Sequence, residues 1–286
     1  MKFGVNTFLW TGDFSSKDFA ILPQIREHGF DGAEISLFRP AEFDAASVRR
    51  ALSENQLEAT VCSVLTPGLS LISDDAAVRS KTRIHLAACV KATAEAGAKL
   101  IAGPLYSPVG YLPGRRRTAD EWKWAVEGYQ ELGPTLKEYG VEVGIEPLNR
   151  FETFFLNTTA DAIRRGEEIG HPNVGILWDT FHANIEEKSL GEALRSAGKH
   201  VKHIHTCEND RGIPGSGHVG WPEVFDAIRT LGYDRWLTIE SFGFAIGDLA
   251  AAASIWRDLA STPDEIAWNG IKFLKEGIAG QAAHHS

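Results

Sequence analysis

Four polar side chains stand at the ends of four apolar runs in the second half of the chain. The runs read VEVGIEP, VGILWD, VKHIHT and RWLTIES, and their polar terminal residues are Glu146, Asp179, His205 and Glu240. Successive members lie about one strand–helix unit apart. A charge at the end of a buried strand costs free energy unless a partner compensates it. The repeated pattern therefore predicts one shared site.

Three carboxylates cannot share a buried site unpaired, because like charges repel and burial penalises each ionised group. A divalent cation bound by three oxygen ligands and one imidazole would compensate them. This ligand set favours Mn²⁺, Co²⁺ or Mg²⁺ over Zn²⁺, which prefers thiolate and imidazole. The alternative is that each residue only makes a local hydrogen bond at its own strand end.

The elements that must position these residues alternate between strand and helix. Helical patterns in the first half end at Gly29, Gly97 and Gly140, as helices commonly do. The predicted strands are 2–6, 32–36, 58–64, 99–104, 141–147, 174–179, 201–206 and 235–241. The predicted helices are 15–29, 44–56, 75–96, 118–139, 158–169, 189–198, 221–231 and 250–278, the last broken at Pro263.

This alternation predicts a parallel sheet. An open doubly wound sheet usually has a glycine-rich turn after its first strand, whereas this chain reads VNTFLWTGD there. We therefore predict an α/β fold, the closed (β/α)8 TIM barrel, with one catalytic domain over 1–280 and a tail over 281–286. Active sites of such barrels lie at the carboxyl ends of the strands, so the four residues should converge.

Composition limits the function. The chain has 286 residues, 43% of them hydrophobic and 23% charged, as in globular proteins. The net charge of −9 argues against a nucleic-acid partner, since phosphate binding needs clustered basic residues. Cys62, Cys89 and Cys207 form no paired motif, which suits a reducing cytoplasm, and no apolar run is long enough to suggest a membrane partner.

Further polar residues follow the strand ends. Glu152 lies in the loop after the fifth strand, His182 three residues after Asp179, and Arg211 in a glycine-rich loop after the seventh strand. The glycines of that loop could alternatively form a phosphate cradle, although the sequence matches no phosphate-loop motif.

The remaining candidates near the site are one histidine and three aromatic residues. His203 precedes His205 by two residues, so it should face the same side of its strand at a deeper level. We interpret it as a hydrogen-bonded core residue rather than a ligand. Phe8, Trp10 and Phe242 could form an apolar wall of the pocket.

The motifs EPLNRFE, WDTFHANIEE, HIHTCENDRGIPGSGHVGW and IESF resemble those of the ketose 3-epimerases, the D-tagatose and D-allulose (psicose) 3-epimerase group of the xylose-isomerase-like TIM barrels. The resemblance extends from FGVNTFLW to the final helices. It implies that the four strand-end residues bind Mn²⁺ or a similar ion, that Glu146 and Glu240 are the catalytic acid–base pair, and that the protein is a homodimer or homotetramer. It also implies that Glu152, His182 and Arg211 hold the O1–O3 end of the sugar.

Epimerisation of a ketose at C3 is consistent with two acid–base residues on opposite faces of the substrate. The hydrogen at C3 is acidified by the C2 carbonyl, and epimerisation removes a proton from one face and returns one to the other. Two glutamates on opposite sides achieve this through an enediolate without moving. The expected substrates are free ketoses of the D-tagatose, D-fructose/D-allulose or L-ribulose type.

Other functions on this scaffold stay open at this point. An aldose–ketose isomerase would move hydrogen between C1 and C2, and an inosose dehydratase would act on an inositol-derived ketone. A non-catalytic sugar-binding barrel would not need two opposed carboxylates. An apurinic-site endonuclease would need a histidine-rich multi-zinc site and a basic groove, which the sequence lacks.

Overall fold

The computed structural model describes residues 1–244 and 253–280, so the predicted tail 281–286 lies outside the described residues. Eight parallel strands close into a barrel in sequence order, with the first strand paired to both the second and the eighth. The TIM barrel prediction is confirmed. The strands are β1 Lys2–Asn6, β2 Gly32–Ser36, β3 Glu58–Cys62, β4 Leu100–Gly103, β5 Glu142–Ile145, β6 Val174–Asp179, β7 Val201–His205 and β8 Trp236–Ile239.

Helices surround the barrel and bury their apolar faces against it. The longest described helix, α4, begins with a capping box, in which the side chains of Thr118 and Glu121 each accept a hydrogen bond from the backbone N–H of the other residue. The α-helices are α1 Leu22–Glu27, α2 Ala45–Glu54, α3 Ala76–Glu95, α4 Ala119–Tyr139, α5 Thr159–Ile169, α6 Thr180–Glu186, α7 Leu190–Ala197, α8 Trp221–Leu231 and α9 Pro263–Ile278. Short 3-10 helices cover Thr7–Leu9, Ser16–Ile21 and Gly198–His200.

Three helix predictions differ from the structure. The predicted helix 15–29 divides into a 3-10 helix and α1, because Pro23 has no N–H for an α-helical bond and occupies the first turn of α1. Helix α6 was not predicted, since it follows β6 with no intervening turn residue. In the predicted helix 250–278, residues 250–252 lie outside the described part, and 253–262 form turns and bends before α9 begins at Pro263.

One glycine is required where β3 and β4 approach each other near the mouth. Gly103 ends β4 with φ of 136°, and a Cβ there would lie 2.1 Å from the carbonyl oxygen of Ser63. The left-handed φ and the contact with backbone both exclude a larger residue.

Within the described ranges, none of the helices combines the length and apolar character that a membrane crossing requires.

Candidate active site

The four strand-end residues meet at the carboxyl end of the barrel. Glu146 directly follows β5, Asp179 ends β6, His205 ends β7 and Glu240 directly follows β8. Each offers one ligand atom, and these four atoms all lie within 4.8 Å of one another. All four side chains are buried. The barrel therefore brings three carboxylates and one imidazole together, as the strand-end pattern predicts.

Asp179 explains why a buried strand ends on a charge. It is the last residue of β6 and also the N-cap of α6, where its Oδ1 accepts a hydrogen bond of 2.7 Å from the backbone N–H of Phe181. Its other oxygen, Oδ2, faces the cluster and lies 2.8 Å from Nη1 of Arg211. One oxygen thus begins a helix while the other belongs to the site.

The donor set fits a divalent cation. Oε1 of Glu146 and Nδ1 of His205 are buried and have no hydrogen-bond partner among the described residues, although buried polar atoms are normally satisfied. When His205 offers a neutral ring nitrogen as a ligand, the guanidinium of Arg211 balances only part of the charge of the three carboxylates, and a divalent ion would balance the rest. Oxygen and imidazole ligands together suit Mn²⁺, Co²⁺ or Mg²⁺.

The two glutamates of the cluster lie in different electrostatic environments. Burial raises the pKa of Glu146 well above its usual value, and the nearby charge of Glu240 raises it further. Burial also acts to raise the pKa of Glu240, but the positive charges of His205 and Arg211 outweigh it, so this pKa lies below its usual value. Neighbouring carboxylates with divergent pKa values are common at sites of acid–base chemistry.

Arg211 contributes a positively charged guanidinium to the site. Its Nη1 donates to Asp179 Oδ2 and to Glu240 Oε2, both at 2.8 Å. The guanidinium lies over the ring of Phe181, 4.0 Å from its centroid, and 5.3 Å from that of Phe242. The backbone of Arg211 has a φ of 67°, a left-handed conformation that residues other than glycine rarely adopt. The loop after β7 must therefore hold Arg211 in place.

Glu208 organises that loop from inside, and the sequence did not single it out. Its buried carboxylate accepts hydrogen bonds from the backbone N–H groups of Gly215 and Val219 and from the indole N–H of Trp221. Gly217 packs against it so closely that a Cβ would lie 2.7 Å from Glu208 Oε1. The glycines thus allow the loop to wrap around a carboxylate. Because Glu208 already accepts these amide hydrogens, the arrangement does not support a phosphate cradle.

We expect Glu208→Gln to destabilise the protein and to weaken substrate binding. An amide nitrogen cannot accept hydrogen bonds, and each buried donor left unpaired costs about 1–3 kcal/mol. If Arg211 contacts the substrate, its displacement should raise KM about tenfold, equivalent to about 1.4 kcal/mol. Thermal unfolding and steady-state kinetics check this. Asp210→Asn, in the same loop, is the control, and an equal loss in both variants would contradict the role of Glu208.

Asn149 connects two predicted substrate-binding residues. Its backbone N–H and its side-chain Nδ2 lie 3.1 Å and 3.0 Å from Nδ1 of His182, and Nδ2 also donates to Glu152 Oε1 at 2.8 Å. An Nδ1 that accepts from a backbone amide leaves the proton of a neutral imidazole on Nε2. Burial, and then the charge of Arg211, lower the pKa of His182 well below its usual value. His182 is therefore neutral, with its N–H directed into the site.

These polar groups line one cavity with apolar residues. Phe8 stacks on Phe38 and on Phe242, with ring centroids 5.7 and 5.5 Å apart. The thiol of Cys62 also lines the cavity, a position that the sequence did not suggest. The described lining residues include Phe8, Phe38, Cys62, Glu146, Glu152, His182, Arg211, Glu240 and Phe242.

Trp10 is not part of this wall, contrary to the sequence prediction. Its indole N–H donates to Asp264 at 2.6 Å, and its ring packs on Trp268 with centroids 5.7 Å apart. The 3-10 helix Thr7–Leu9 lies between β1 and Trp10, and residues two apart on such a turn do not share a face. Phe8 therefore faces the cavity while Trp10 faces α9.

His203 lies one level below His205, as predicted. The two residues pair with Leu177 and Asp179 of β6, and their ring centroids are 5.0 Å apart. His203 is fully buried, and its Nε2 lies 2.7 Å from Oε2 of Glu34, a residue of β2 that the sequence analysis missed. Its place is that of a hydrogen-bonded core residue.

Comparisons with known proteins agree with this architecture. A family model described as xylose isomerase-like TIM barrel matches residues 22–276. A probable ketose 3-epimerase from Synechocystis sp. is 35% identical over 276 residues, which cover 96% of this chain and 96% of the relative. A D-psicose 3-epimerase from Agrobacterium fabrum is 30% identical, covering 98% of this chain and 100% of the relative. The structure of a D-allulose 3-epimerase from Methylomonas sp., solved with D-allulose, has a TM-score of 0.92 at 26% identity, with 96% of each chain covered.

The closed barrel and the acidic strand-end cluster define a xylose isomerase-like TIM barrel. Within that class, the probable ketose 3-epimerase of Synechocystis sp. and a ketose 3-epimerase of Arthrobacter globiformis are 35% and 32% identical to this chain over 96% and 97% of its length. The chain belongs to the ketose 3-epimerase family and is an enzyme of the isomerase class.

Proposed function

We propose that this protein epimerises free ketoses at C3, with Glu146 and Glu240 as the proton-transfer pair. The observation that carries the proposal is that two buried glutamates, from the non-adjacent strands β5 and β8, line the same cavity. A substrate between them presents one face of C3 to each carboxylate. The family relationship to D-psicose and L-ribulose 3-epimerases supports this assignment.

The proposed reaction is symmetric. One glutamate removes the C3 proton from one face and gives a planar enediolate, and the other, initially protonated, returns a proton to the opposite face. The roles exchange for the reverse reaction. Without a bound ion, the pKa of Glu146 lies above its usual value and that of Glu240 below it, and this asymmetry supports different protonation states for the two members of the pair.

We propose that Glu146, Asp179, His205 and Glu240 hold a divalent cation, Mn²⁺ first and Co²⁺ or Mg²⁺ as alternatives. The unpaired Glu146 Oε1 and His205 Nδ1 support this ligand set. When bound, such an ion would supply a Lewis acid that lowers the energy of the negative charge developing on the enediolate.

The O1–O3 end of the sugar is proposed to lie against His182, Arg211 and Glu152. Nε2 of His182 and Nη2 of Arg211 are 3.2 Å apart, and because both carry hydrogen they cannot bond to each other. A single sugar oxygen beside the pair, within hydrogen-bond distance of both nitrogens, would satisfy both donors. Phe242, on the apolar side, is proposed to pack against the carbon chain.

The remaining predictions concern the whole protein. We propose that residues 1–280 act as one catalytic domain. A cytoplasmic location and a homodimeric or homotetrameric assembly remain predictions of the sequence and the family resemblance.

A panel of free ketohexoses and ketopentoses, each paired with its phosphate ester, tests the substrate class. We expect epimers of the free sugars, with kcat/KM at least ~10-fold lower for the phosphates. A phosphate adds nearly two negative charges to a mouth that already holds four carboxylates, those of Glu146, Glu152, Asp179 and Glu240. Chromatographic separation of products from metal-reconstituted protein gives the result. A preference for phosphorylated sugars, or aldose products instead of ketose epimers, would reject the proposal.

A further inference from the structure

Glu34 is a buried carboxylate for which the proposed reaction has no role. It belongs to β2 and extends across the inside of the barrel to β7. Its Oε1 lies 2.7 Å from Nε2 of His205, and its Oε2 lies 2.7 Å from Nε2 of His203. Glu34 and both histidines are fully buried. One carboxylate therefore bridges a candidate metal ligand and the histidine beneath it.

The neighbouring strands complete the hydrogen bonding of this carboxylate. Nδ2 of Asn6, on β1, donates to Oε1 at 3.0 Å, and the hydroxyl of Thr60, on β3, donates to Oε2 at 3.0 Å. The orientation of the Asn6 amide is fixed, because its Oδ1 accepts a hydrogen bond from the backbone N–H of Phe8 and its Nδ2 must then face Glu34. Each oxygen of Glu34 thus accepts two hydrogen bonds.

The contacts of Glu34 are those of an ionised carboxylate. Asn6 and Thr60 each donate to one of its oxygens, and an imidazole nitrogen lies 2.7 Å from each oxygen as well. An ionised carboxylate only accepts hydrogen bonds. Both histidines must therefore direct an Nε2–H towards Glu34.

This bond fixes what His205 offers to the cluster. With hydrogen on Nε2, the other ring nitrogen, Nδ1, supplies the lone pair, and Nδ1 is the unpaired atom that faces Glu240 Oε2 at 3.4 Å. Carboxylates that hold the second nitrogen of a metal-binding histidine set its tautomer and ring orientation and increase its basicity.

We propose that Glu34 is a positioning residue that orients His205 as an Nδ1 ligand for the divalent cation. The inference rests on the proposed metal site and extends it to a residue at the bottom of that site. Glu34 is not among the residues that line the cavity, so its proposed effect on the site passes through His205.

A second ion held by Glu34, His203 and His205 is the competing explanation, since these three residues also offer atoms close together. The hydrogen bonds argue against it. Both Glu34 oxygens already accept two donors, and the imidazole nitrogens nearest to them carry the hydrogens of those bonds. The positioning role therefore implies one ion per chain.

Two variants separate the charge of Glu34 from its hydrogen bonds. Glu34→Met removes both carboxylate oxygens at similar volume and leaves only a weakly accepting sulfur. Glu34→Gln removes the charge but keeps one oxygen, which should face His205 because Asn6 can only donate on that side. We expect the dissociation constant for Mn²⁺ to rise about 10–100-fold in Glu34→Met, the range found for such partners, and by a smaller factor in Glu34→Gln.

Glu121→Gln is the matched control. Glu121 is also a buried glutamate, but it caps α4 and pairs with Arg115 outside the barrel. We expect it to lower thermal stability while the Mn²⁺ dissociation constant stays within about twofold of the wild type, the ordinary outcome for a distant, independent site.

The experiment measures free Mn²⁺ by its electron paramagnetic resonance signal during titration of metal-free protein. Saturating Mn²⁺ should restore most of the kcat of both Glu34 variants, which loss of a substrate contact would not allow. Equal Mn²⁺ affinity in Glu34→Gln, Glu34→Met and the wild type would overturn the inference while leaving the proposed function intact. Loss of one of two bound ions in Glu34→Met would also overturn it. A wild type that binds no divalent ion would instead reject the metal site itself.

Discussion

Replacing either Glu146 or Glu240 with glutamine should lower the rate of C3 epimerisation by about 10³-fold, since a positioned acid–base group contributes roughly 10²–10⁴-fold. Each substitution removes the proton-transfer group from one face of the substrate. In deuterated water, the wild-type product should carry deuterium at C3 and none at C1. Product analysis by NMR and mass spectrometry measures both effects.

The two variants should also differ from each other in an informative way. The surviving glutamate can still remove and return a proton on its own face, so each variant should exchange C3 of only one of the two epimers, provided that it retains metal. Glu152→Gln is the control, because Glu152 lines the same cavity without a proposed role in proton transfer. It should raise KM and keep exchange of both epimers. Deuterium at C1, or full epimerisation by either single variant, would contradict the two-base mechanism.

Removal of divalent ions should lower the turnover rate by roughly 10²–10⁴-fold, corresponding to several kcal/mol of transition-state stabilisation. Mn²⁺ or Co²⁺ should restore it. An ion present at 100 times its dissociation constant should stabilise the fold by about 2.7 kcal/mol, which raises Tm by roughly 5–10 °C for a chain of this size. Activity assays and thermal unfolding of chelated and reconstituted protein measure both changes.

Asp179→Asn isolates the ligand charge in that experiment. Asparagine caps helices about as well as aspartate, so the bond to the backbone N–H of Phe181 should persist and α6 should form. The metal affinity should nevertheless fall, because a neutral amide replaces an ionised carboxylate of the cluster. Full activity of thoroughly demetallated wild-type protein, or unchanged metal affinity in Asp179→Asn, would count against the proposed ligand set.

The sequence determined the barrel through a local and repeated signal. Apolar strands and amphipathic helices alternate with a period set by the size of one strand–helix unit, and a parallel sheet requires that order. The same periodicity placed Glu146, Asp179, His205 and Glu240 at one end of the barrel, because carboxyl ends of parallel strands share one face. The convergence of these atoms within 4.8 Å agrees with that reasoning.

Local signals were weaker where one residue has two structural tasks. Asp179 is both the end of β6 and the cap of α6, so no turn residue marks the helix that follows. Trp10 and Phe8 looked equivalent as aromatic neighbours of the first strand. A short 3-10 turn directs them to different sides, and sequence spacing alone does not reveal such a turn.

The tertiary structure alone decided which residues support the site. Glu34 lies 169 positions from His203 and 171 from His205, and it occurs inside an apolar run where periodicity gives no partner. Glu208 bonds to amides that come together only after the loop closes around it. Their roles depend on hydrogen bonds between distant segments, whose direction is set when the barrel closes. The sequence alone was therefore sufficient to predict the residues of the strand-end cluster. The residues that hold them in position could be identified only from the closed barrel.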